Sequence, residues 1–207
     1  MPVYAVLTGD IVNSTQLKKP IEKKLVKALN KTLEPFRFEF YRGDSFQVLV
    51  KDSKKALQLA LLCRSVAISL GKGENHPATD IRVSIGIGSV ITPVRALGSA
   101  KGEAFILSGR SFDEMQKAES RLEIASENNF VNVGLQIIAD YINSIFKGMT
   151  PKQAEVITEL LKGQTQQKVT TTLKKSKSTI SQLVSSGRWT EIEKLLTQYE
   201  MFINQLI

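Results

Sequence analysis

Residues 3–15, VYAVLTGDIVNST, decide the first part of the fold. Their apolar first half is rich in β-branched and aromatic residues, which predicts a buried strand. The run ends at Asp10, so a carboxylate stands where the strand gives way to a turn. Ser14 or Thr15 can then cap a helix that we expect to be interrupted at Pro20 before it resumes.

Residues 36–50, FRFEFYRGDSFQVLV, predict a β-hairpin because apolar side chains alternate on both sides of a glycine-containing turn. Asp44 lies at its tip. Since a first strand commonly pairs beside such a hairpin, Asp10 and Asp44 are expected to converge. Two carboxylates with backbone carbonyls form the kind of Mg²⁺ site that also holds a triphosphate. Alternatively, Asp10 only caps the following helix and Asp44 is a common turn residue.

The remaining patterns of the first part extend this α+β order. They predict a helix over 54–70, a strand over 81–91, a helix over 105–123 whose end can instead form a strand at 121–125, and an amphipathic helix over 133–146. The order is strand, helix, hairpin, helix, strand, helix, strand. We therefore expect a ferredoxin-like sandwich with its helices on one face of a mostly antiparallel sheet. Gly148 marks the boundary between a domain over 1–148 and another over 149–207.

Residues 150–188 predict a small all-α, helix-turn-helix domain. Thr150 followed by proline and by Gln153 is the signature of a capping box, and apolar residues then recur at helical spacing. A second short helix ends in a lysine pair. Ser176 or Ser178 can cap a third helix with small polar residues on one side, which is typical of a helix that reads the major groove.

The charge of this segment favours a polyanionic partner. From residue 164 to residue 190 there is no Asp or Glu, whereas several lysines and Arg188 are present. Such a surface suits phosphate contacts, and short hydroxyl and amide side chains can reach base edges of double-stranded DNA. The residues expected to contact DNA are Lys174, Lys175, Lys177, Ser178, Thr179, Ser181, Gln182 and Ser185. The alternative is a three-helix unit that binds a protein.

The composition limits the class of protein to which this chain can belong. The chain has 207 residues, a hydrophobic fraction of 42% and a formal net charge of +8, which fit a globular protein with a polyanionic partner. Its single cysteine, Cys63, cannot form an internal disulfide, so a reducing cytoplasm is expected. No apolar run is long enough for a membrane span, and no signal peptide is evident at the start.

The segment over 150–188 resembles the helix-turn-helix of sigma-factor region 4 and of LuxR-type regulators. The likeness rests on TPKQAEVITELLKG, a polar linker and LKKSKSTISQLV, and its specific part is the run from Ser176 to Ser181. It departs at Thr170, Thr171 and Thr172, where small helix-favouring residues are usual. The resemblance implies DNA binding, and because such units read half-sites in pairs, it implies a homodimer.

The first part resembles the nucleotide-cyclase palm of class III adenylate and guanylate cyclases and of GGDEF domains. The motifs that carry this are TGDIVNST at residues 8–15, RGDSF at 42–46, RVSIGIG at 82–88, and a Gly–Phe–Ser–Gly–Arg pattern ending at Arg110. The resemblance implies Mg²⁺ at Asp10 and Asp44 and a transition-state role for Arg110. The nucleotide contacts that it implies are Asn13, Ser14, Gly43 and Arg110.

Two departures argue against cyclisation. Ile106 stands where cyclases carry the transition-state asparagine, and Phe40 stands where many carry a purine-reading lysine. Over nearly the whole chain, the motif combination with a terminal helix-turn-helix resembles the SatD-type bacterial proteins. Three functions follow as hypotheses: a DNA-binding transcriptional regulator with a degenerate cyclase-like sensor and dimerisation domain, a Mg²⁺-dependent nucleotidyl cyclase or related nucleotide-processing enzyme, and a protein-binding adaptor.

Overall fold

The computed structural model describes residues 2–41, 43–71, 79–118 and 120–206, so Arg42 of the expected hairpin turn lies outside the described residues. The fold is mixed α+β, as predicted. The strands are Tyr4–Ile11 (β1), Arg37–Tyr41 (β2), Ser45–Val50 (β3), Ile81–Gly88 (β4) and Leu122–Ser126 (β5). The helices are Lys19–Leu33 (α1), Ala56–Ser69 (α2), Glu103–Ala118 (α3), Asn129–Lys147 (α4), Pro151–Leu161 (α5), Gln166–Leu173 (α6), Lys177–Ser186 (α7) and Trp189–Ile203 (α8).

The five strands form one sheet in the order β2-β3-β1-β4-β5. The pairs β2–β3, β3–β1 and β1–β4 are antiparallel, and β4–β5 is parallel. Leu7 of the central strand β1 lies between Val48 of β3 and Ile85 of β4. The predicted order of elements is confirmed, and β1 does pair beside the hairpin.

Several expected boundaries differ. β1 runs on to Ile11, so Asp10 is part of the strand and does not cap a helix. Pro20 lies in the first turn of α1 instead of interrupting it, because the first turn has no intrahelical partner for a backbone N–H. β4 ends at Gly88, and α3 ends at Ala118 because β5 takes up the following residues.

The prediction that the helices share one face of the sheet is wrong. Successive side chains of a strand point to opposite faces. Ala5 and Leu7 of β1 belong to the main core, which also contains buried residues of α1, α2 and α4. Val6, between them, packs instead with Ala104 and Phe105 of α3. Helix α3 therefore covers the opposite face.

Small side chains on β1 and β4 allow α3 to approach the sheet closely. A Cβ built on Gly86 would lie 2.2 Å from the carbonyl oxygen of Ala104 and 2.4 Å from the amide nitrogen of Ser108. The Ser108 hydroxyl lies 3.0 Å from that of Thr8, and the Ser84 hydroxyl donates to the Ser108 carbonyl oxygen at 2.6 Å. These two contacts satisfy the hydrogen bonding of polar groups inside an otherwise apolar layer.

A buried arginine joins the elements of the main core. Arg64 of α2 is 1% exposed and donates from Nε and Nη2 to the two carboxylate oxygens of Asp80, at 3.1 and 2.8 Å. Its Nη1 donates to Asn143 of α4 at 3.0 Å, and its guanidinium carbon lies 4.7 Å from the centre of the Phe146 ring. The Asp80 carbonyl accepts the amide of Val12, which follows β1.

The last four helices continue the same core. Buried residues of α5 and α8 belong to the hydrophobic cluster that covers the sheet. Across this contact, the Thr158 hydroxyl of α5 donates to that of Ser65 of α2 at 3.0 Å. The Tyr199 hydroxyl of α8 donates to the Ser53 carbonyl at 2.8 Å. The capping box of Thr150 and Gln153 at the start of α5 is present as predicted.

The close approach of α3 makes a testable prediction. Gly86→Ala should lower the free energy of unfolding by about 2 kcal/mol or more, because the new methyl group overlaps rigid backbone atoms of α3. Gly109→Ala on the same helix is the matched control, since its Cβ meets no atom within 4 Å. Because alanine favours a helix over glycine, we expect a gain of up to ~1 kcal/mol there. Urea denaturation of both variants measures this, and equal effects would contradict the packing described.

Candidate functional site

Asp10 lies near the end of β1 on the face of the sheet that α3 covers. It pairs in register with Ser45 of β3 on one side and Arg82 of β4 on the other. The Arg82 Nε atom is 3.5 Å from Asp10 Oδ1, and both side chains are 18% exposed. The two groups form an ion pair without a hydrogen bond. Both atoms are buried, and neither has a hydrogen-bond partner among the described residues. Each atom therefore lacks a hydrogen bond and is stabilised by the opposite charge of the other.

Asp44 is held against the same end of β1. Its carbonyl oxygen accepts the amide of Ile11 at 3.0 Å, and its Oδ2 accepts the Ser14 hydroxyl at 2.6 Å. Gly43 has a φ of 87°, a left-handed conformation that glycine adopts at little cost, and Asn13 has a φ of 56° beside Ser14. The structure thus brings Asp10, Ser14, Gly43 and Asp44 to one end of the sheet, with Asn13 next to them.

The surroundings of Asp10 disfavour its charged form. Burial raises the pKa of Asp10, the Arg82 guanidinium opposes this, the Asp44 carboxylate raises it further and Arg121 lowers it. The net direction is upward. An added cation would therefore stabilise the ionised pair of carboxylates, because it would offset both the desolvation and the repulsion between like charges.

The donor set can be tested against Mg²⁺. It consists of oxygen atoms: a buried Asp10 Oδ1 that has no hydrogen bond within the described residues, and a hydrogen-bonded carboxylate on Asp44. Within the described residues, no group of three or more His, Cys, Asp or Glu side chains could hold a metal ion. The donors fit Mg²⁺, which is commonly bound through one or two carboxylates while it keeps waters and takes substrate phosphates. They do not fit a closed site made of protein side chains alone.

Arg110 is not brought to this pair. It is exposed on α3, two residues after Ser108, whose hydroxyl contacts the sheet. Because two residues of an α-helix are ~200° apart around the axis, Arg110 points away from the sheet. The ion pairs of the described residues include none between Arg110 and Asp113 or Glu114, which follow it on α3. Sequence reasoning missed Arg82, although the RVSIGIG motif contains it, because only strand register reveals its contact with Asp10.

A second candidate surface is the outer side of α7. Ser176 caps this helix by accepting the Thr179 amide at 3.1 Å, which decides between the two expected caps. Ile180 and Val184 are buried on the inner side, where α7 packs on α5. Seven of the eight residues expected to contact DNA are exposed, namely Lys174, Lys177, Ser178, Thr179, Ser181, Gln182 and Ser185.

Some of these side chains already have partners within the chain. Lys175 is half-buried, and its ammonium group donates to Glu155 of α5 at 2.8 Å. The hydroxyls of Ser178 and Thr179 each lie 2.9 Å from that of Ser176. Lys174 adopts a left-handed conformation, with a φ of 51°, in the turn between α6 and α7. This leaves Lys174, Lys177 and the middle of α7 as the most accessible part of the surface.

Comparisons with known proteins give neighbours only among solved structures. No family model and no curated protein matches the chain. A bacterial light-regulated adenylyl cyclase aligns over 59% of this chain and 74% of its own, with 12% identity and a TM-score of 0.42. The active GGEEF domain of a diguanylate cyclase from Vibrio cholerae aligns over 61% and 84%, with 12% identity and a TM-score of 0.43. The catalytic core of a rhodopsin-guanylyl cyclase aligns over 57% and 83%, with 15% identity and a TM-score of 0.38.

All three of these structural neighbours are nucleotide cyclases or catalytic parts of nucleotide cyclases. With every TM-score below 0.5 and identities of 12–15%, the likeness assigns neither an activity nor a family. In the part of the chain that the structure describes, no helix combines the length and apolar character that crossing a membrane requires.

The raised pKa of Asp10 leads to a prediction about stability. A carboxyl whose pKa is higher in the folded than in the unfolded state binds more protons when folded, so stability falls as the pH rises through that interval. Asp10→Asn should therefore be more stable than the parent chain at pH 7. The difference should shrink as the pH falls towards about 4, the unfolded value. Asp113→Asn, at an exposed position of α3, is the control. Thermal unfolding across this range measures both, and a loss of stability at pH 7 in the Asp10 variant would contradict the burial cost.

Proposed function

We propose that this chain binds double-stranded DNA through α7 and acts as a transcriptional regulator. The observation that carries the proposal is the outward face of α7, which combines exposed hydroxyl and amide side chains with exposed lysines and lies within a run free of acidic residues. A short helix, a turn and a second helix packed on a supporting α5 match the arrangement of a helix-turn-helix.

The contacts divide into two kinds. Lys174 and Lys177 flank the amino-terminal end of α7, where unpaired backbone amides and the helix dipole also favour an anion, so both suit phosphates. Ser181, Gln182 and Ser185 are exposed further along the helix and suit base edges. Lys175 has another role, because its ion pair with Glu155 ties the turn to α5.

We infer that β4, β1, β3 and β2 with α1 and α2 form a ferredoxin-like, nucleotide-cyclase-like unit, since their order and antiparallel pairing suit a β-α-β-β-α-β chain. Residues 1–148 would sense a ligand and 149–207 would bind DNA. The SatD-type resemblance supports this combination of a modified palm and a terminal helix-turn-helix. A cytoplasmic location is consistent with DNA as the partner.

DNA binding is tested by charge and by base contact separately. Lys177→Glu should weaken binding to a pool of genomic duplex fragments equally for all sequences. It should also reduce the slope of log affinity against log salt concentration by an amount that corresponds to the loss of about one or more phosphate contacts. Gln182→Ala should mainly change which fragments are retained. Fluorescence anisotropy at several salt concentrations measures the affinity and its salt dependence. Sequencing of the retained fragments measures the change in sequence preference.

Lys101→Glu makes the same charge change at an exposed position just before α3 and serves as the control. It should leave affinity within about twofold, because a single charge away from the interface has a small, screened effect. If the parent chain retains no duplex DNA at low salt, the proposal that it binds DNA is wrong. If Lys101→Glu and Lys177→Glu weaken binding equally, DNA associates with the general positive charge and not with α7.

A second candidate is Mg²⁺-dependent nucleotide binding at Asp10 and Asp44, the alternative that includes a cyclase or a related enzyme. The specific observation is the buried ion pair of Asp10 Oδ1 and Arg82 Nε, in which neither atom has a hydrogen-bond partner among the described residues. Asp10 and Asp44 would hold the ion, whose charge would neutralise and polarise phosphate oxygens. Ser14 orients Asp44 through its hydrogen bond, and Arg82 offers a donor for a phosphate. Arg110 points away from the sheet, so it is not part of a nucleotide site formed by one chain.

Calorimetric titration tests this second candidate. The parent chain should bind ATP or GTP more tightly with Mg²⁺ than without it, and Asp10→Asn and Asp44→Asn should each remove most of that Mg²⁺ dependence. Asp113→Asn should keep it. Incubation with each nucleotide and chromatography of the products then distinguishes an enzyme from a sensor. Binding that is independent of Mg²⁺ and of both aspartates would exclude the site, whereas binding without turnover would leave a sensor.

A further inference from the structure

Helix α1 turns a face of lysines to solvent. Its inner side is buried in the main core through Leu25, Leu29 and Leu33. Six exposed lysines lie on this helix or just before it, namely Lys18, Lys19, Lys23, Lys24, Lys27 and Lys31. Because an α-helix turns about 100° per residue, the five on the helix fall within an arc of about 140°, on the side away from the buried leucines. We call this arc the basic face of α1.

Little within the chain neutralises the basic face. Residues 18–34 hold these six lysines and two glutamates, so their net charge of +4 is half of the formal net charge of +8. Glu22 is half-buried and lies about 60° outside the arc, and Glu34 stands at the C-cap, past the last lysine. The ion pairs of the described residues include none from α1, whereas lysines of other helices, such as Lys162 and Lys175, have carboxylate partners.

This pattern of charge destabilises the helix in the free chain. Lys19, Lys23, Lys27 and Lys31 stand four residues apart, and like charges at that spacing repel each other across one turn. Lys18 and Lys19 also stand at the amino-terminal end, where the helix dipole favours negative charge. A surface that only kept the chain in solution could alternate lysine with glutamate and stabilise the helix. A polyanion that lay along the basic face would remove the repulsion, so the pattern favours a ligand over a merely solvated surface.

The spacing along the face fits a phosphate backbone. Lysines four residues apart are separated by ~6 Å along the helix axis, so the series from Lys19 to Lys31 spans ~18 Å. One strand of duplex DNA presents a phosphate every ~3.4 Å along its axis, so neighbouring lysines of the series can each reach a different phosphate. Helices α1 and α5 both pack on α2, and α7 packs on α5, so the basic face and α7 belong to one packed core.

We propose that the basic face of α1 binds the phosphate backbone of duplex DNA, as a second contact surface beside α7. This inference rests on the proposed DNA-binding function and extends it. Phosphate contacts position a protein on DNA and add affinity, but they carry no sequence information. The basic face therefore supplies salt-dependent affinity, whereas α7 selects the sequence.

Salt-dependent binding of the full chain tests this proposal. Lys23→Gln with Lys27→Gln should weaken binding to a pool of genomic duplex fragments about tenfold or more. It should also reduce the slope of log affinity against log salt concentration by about two, since each lost phosphate contact contributes about 0.9. The set of retained fragments should stay the same. Fluorescence anisotropy measures the affinity and the slope, and sequencing identifies the retained fragments.

Two controls separate a contact with DNA from a change in total charge or in folding. Lys101→Gln with Lys117→Gln removes the same charge from exposed positions beside and on α3, which covers the opposite face of the sheet, and should change affinity by about twofold at most. Glutamine forms helices about as well as lysine, and the change on α1 relieves repulsion. Urea denaturation should therefore show the α1 variant to be at least as stable as the parent chain.

The outcomes distinguish this proposal from the one on α7. If Lys177→Glu weakens binding while the α1 variant keeps the parent slope, or if both glutamine pairs act equally, the basic face does not bind DNA. If only the α1 variant loses affinity and slope, the basic face is the DNA surface and the proposal on α7 is wrong. A parent chain that binds no duplex DNA at low salt overturns both.

Vesicles of phosphatidylcholine and phosphatidylserine test the other polyanionic surface that lysines could meet. The parent chain and the α1 variant should associate with these vesicles equally weakly. Vesicle binding that requires Lys23 and Lys27, together with an unchanged DNA slope in the α1 variant, would assign the basic face to an anionic membrane surface and overturn the proposal.

Discussion

A buried guanidinium constrains the arrangement of the whole core. Arg64 is 1% exposed, and a charge at that depth destabilises a fold unless neighbouring groups neutralise it and satisfy its hydrogen bonds. Asp80, Asn143 and the Phe146 ring do so from three different directions. Asp80 also accepts the amide of Ile81 at the start of β4 and, through its carbonyl, the amide of Val12. Satisfying one charge therefore fixes α2, α4, the start of β4 and the end of β1 relative to each other.

The candidate nucleotide site depends on that arrangement. The end of β1 is held on both sides, by the Asp44 carbonyl at Ile11 and by the Asp80 carbonyl at Val12. Asp10 immediately precedes this clamped segment, which holds its side chain on the α3 face beside Arg82. The cost of burying its carboxylate is consequently built into the fold. Burying a polar group without a full set of partners destabilises the fold, so a neutral amide would be better tolerated at position 10. The presence of Asp10 is therefore better explained by a role in binding a ligand than by a contribution to stability.

The sequence was sufficient for the order of elements, the hairpin and the start of α5, because alternation and capping are local signals. It also predicted that Asp10 and Asp44 lie at the same end of the sheet, because this follows from pairing β1 beside the hairpin. It did not place α3 on the second face, which depends on small residues such as Gly86 packing against a helix distant along the chain. It could not foresee that Lys175 is tied to Glu155, because the orientation of one helix across another decides that contact.

The same packing determines what a ligand at Asp10 could do to α7. A continuous path runs from the end of β1 through Asp80 and Arg64 to α2, and from Ser65 to Thr158 of α5, on which α7 packs. Contiguity alone does not couple two sites, because a ligand shifts an equilibrium only by its difference in affinity for two states. A rigid core resists such a shift within one chain.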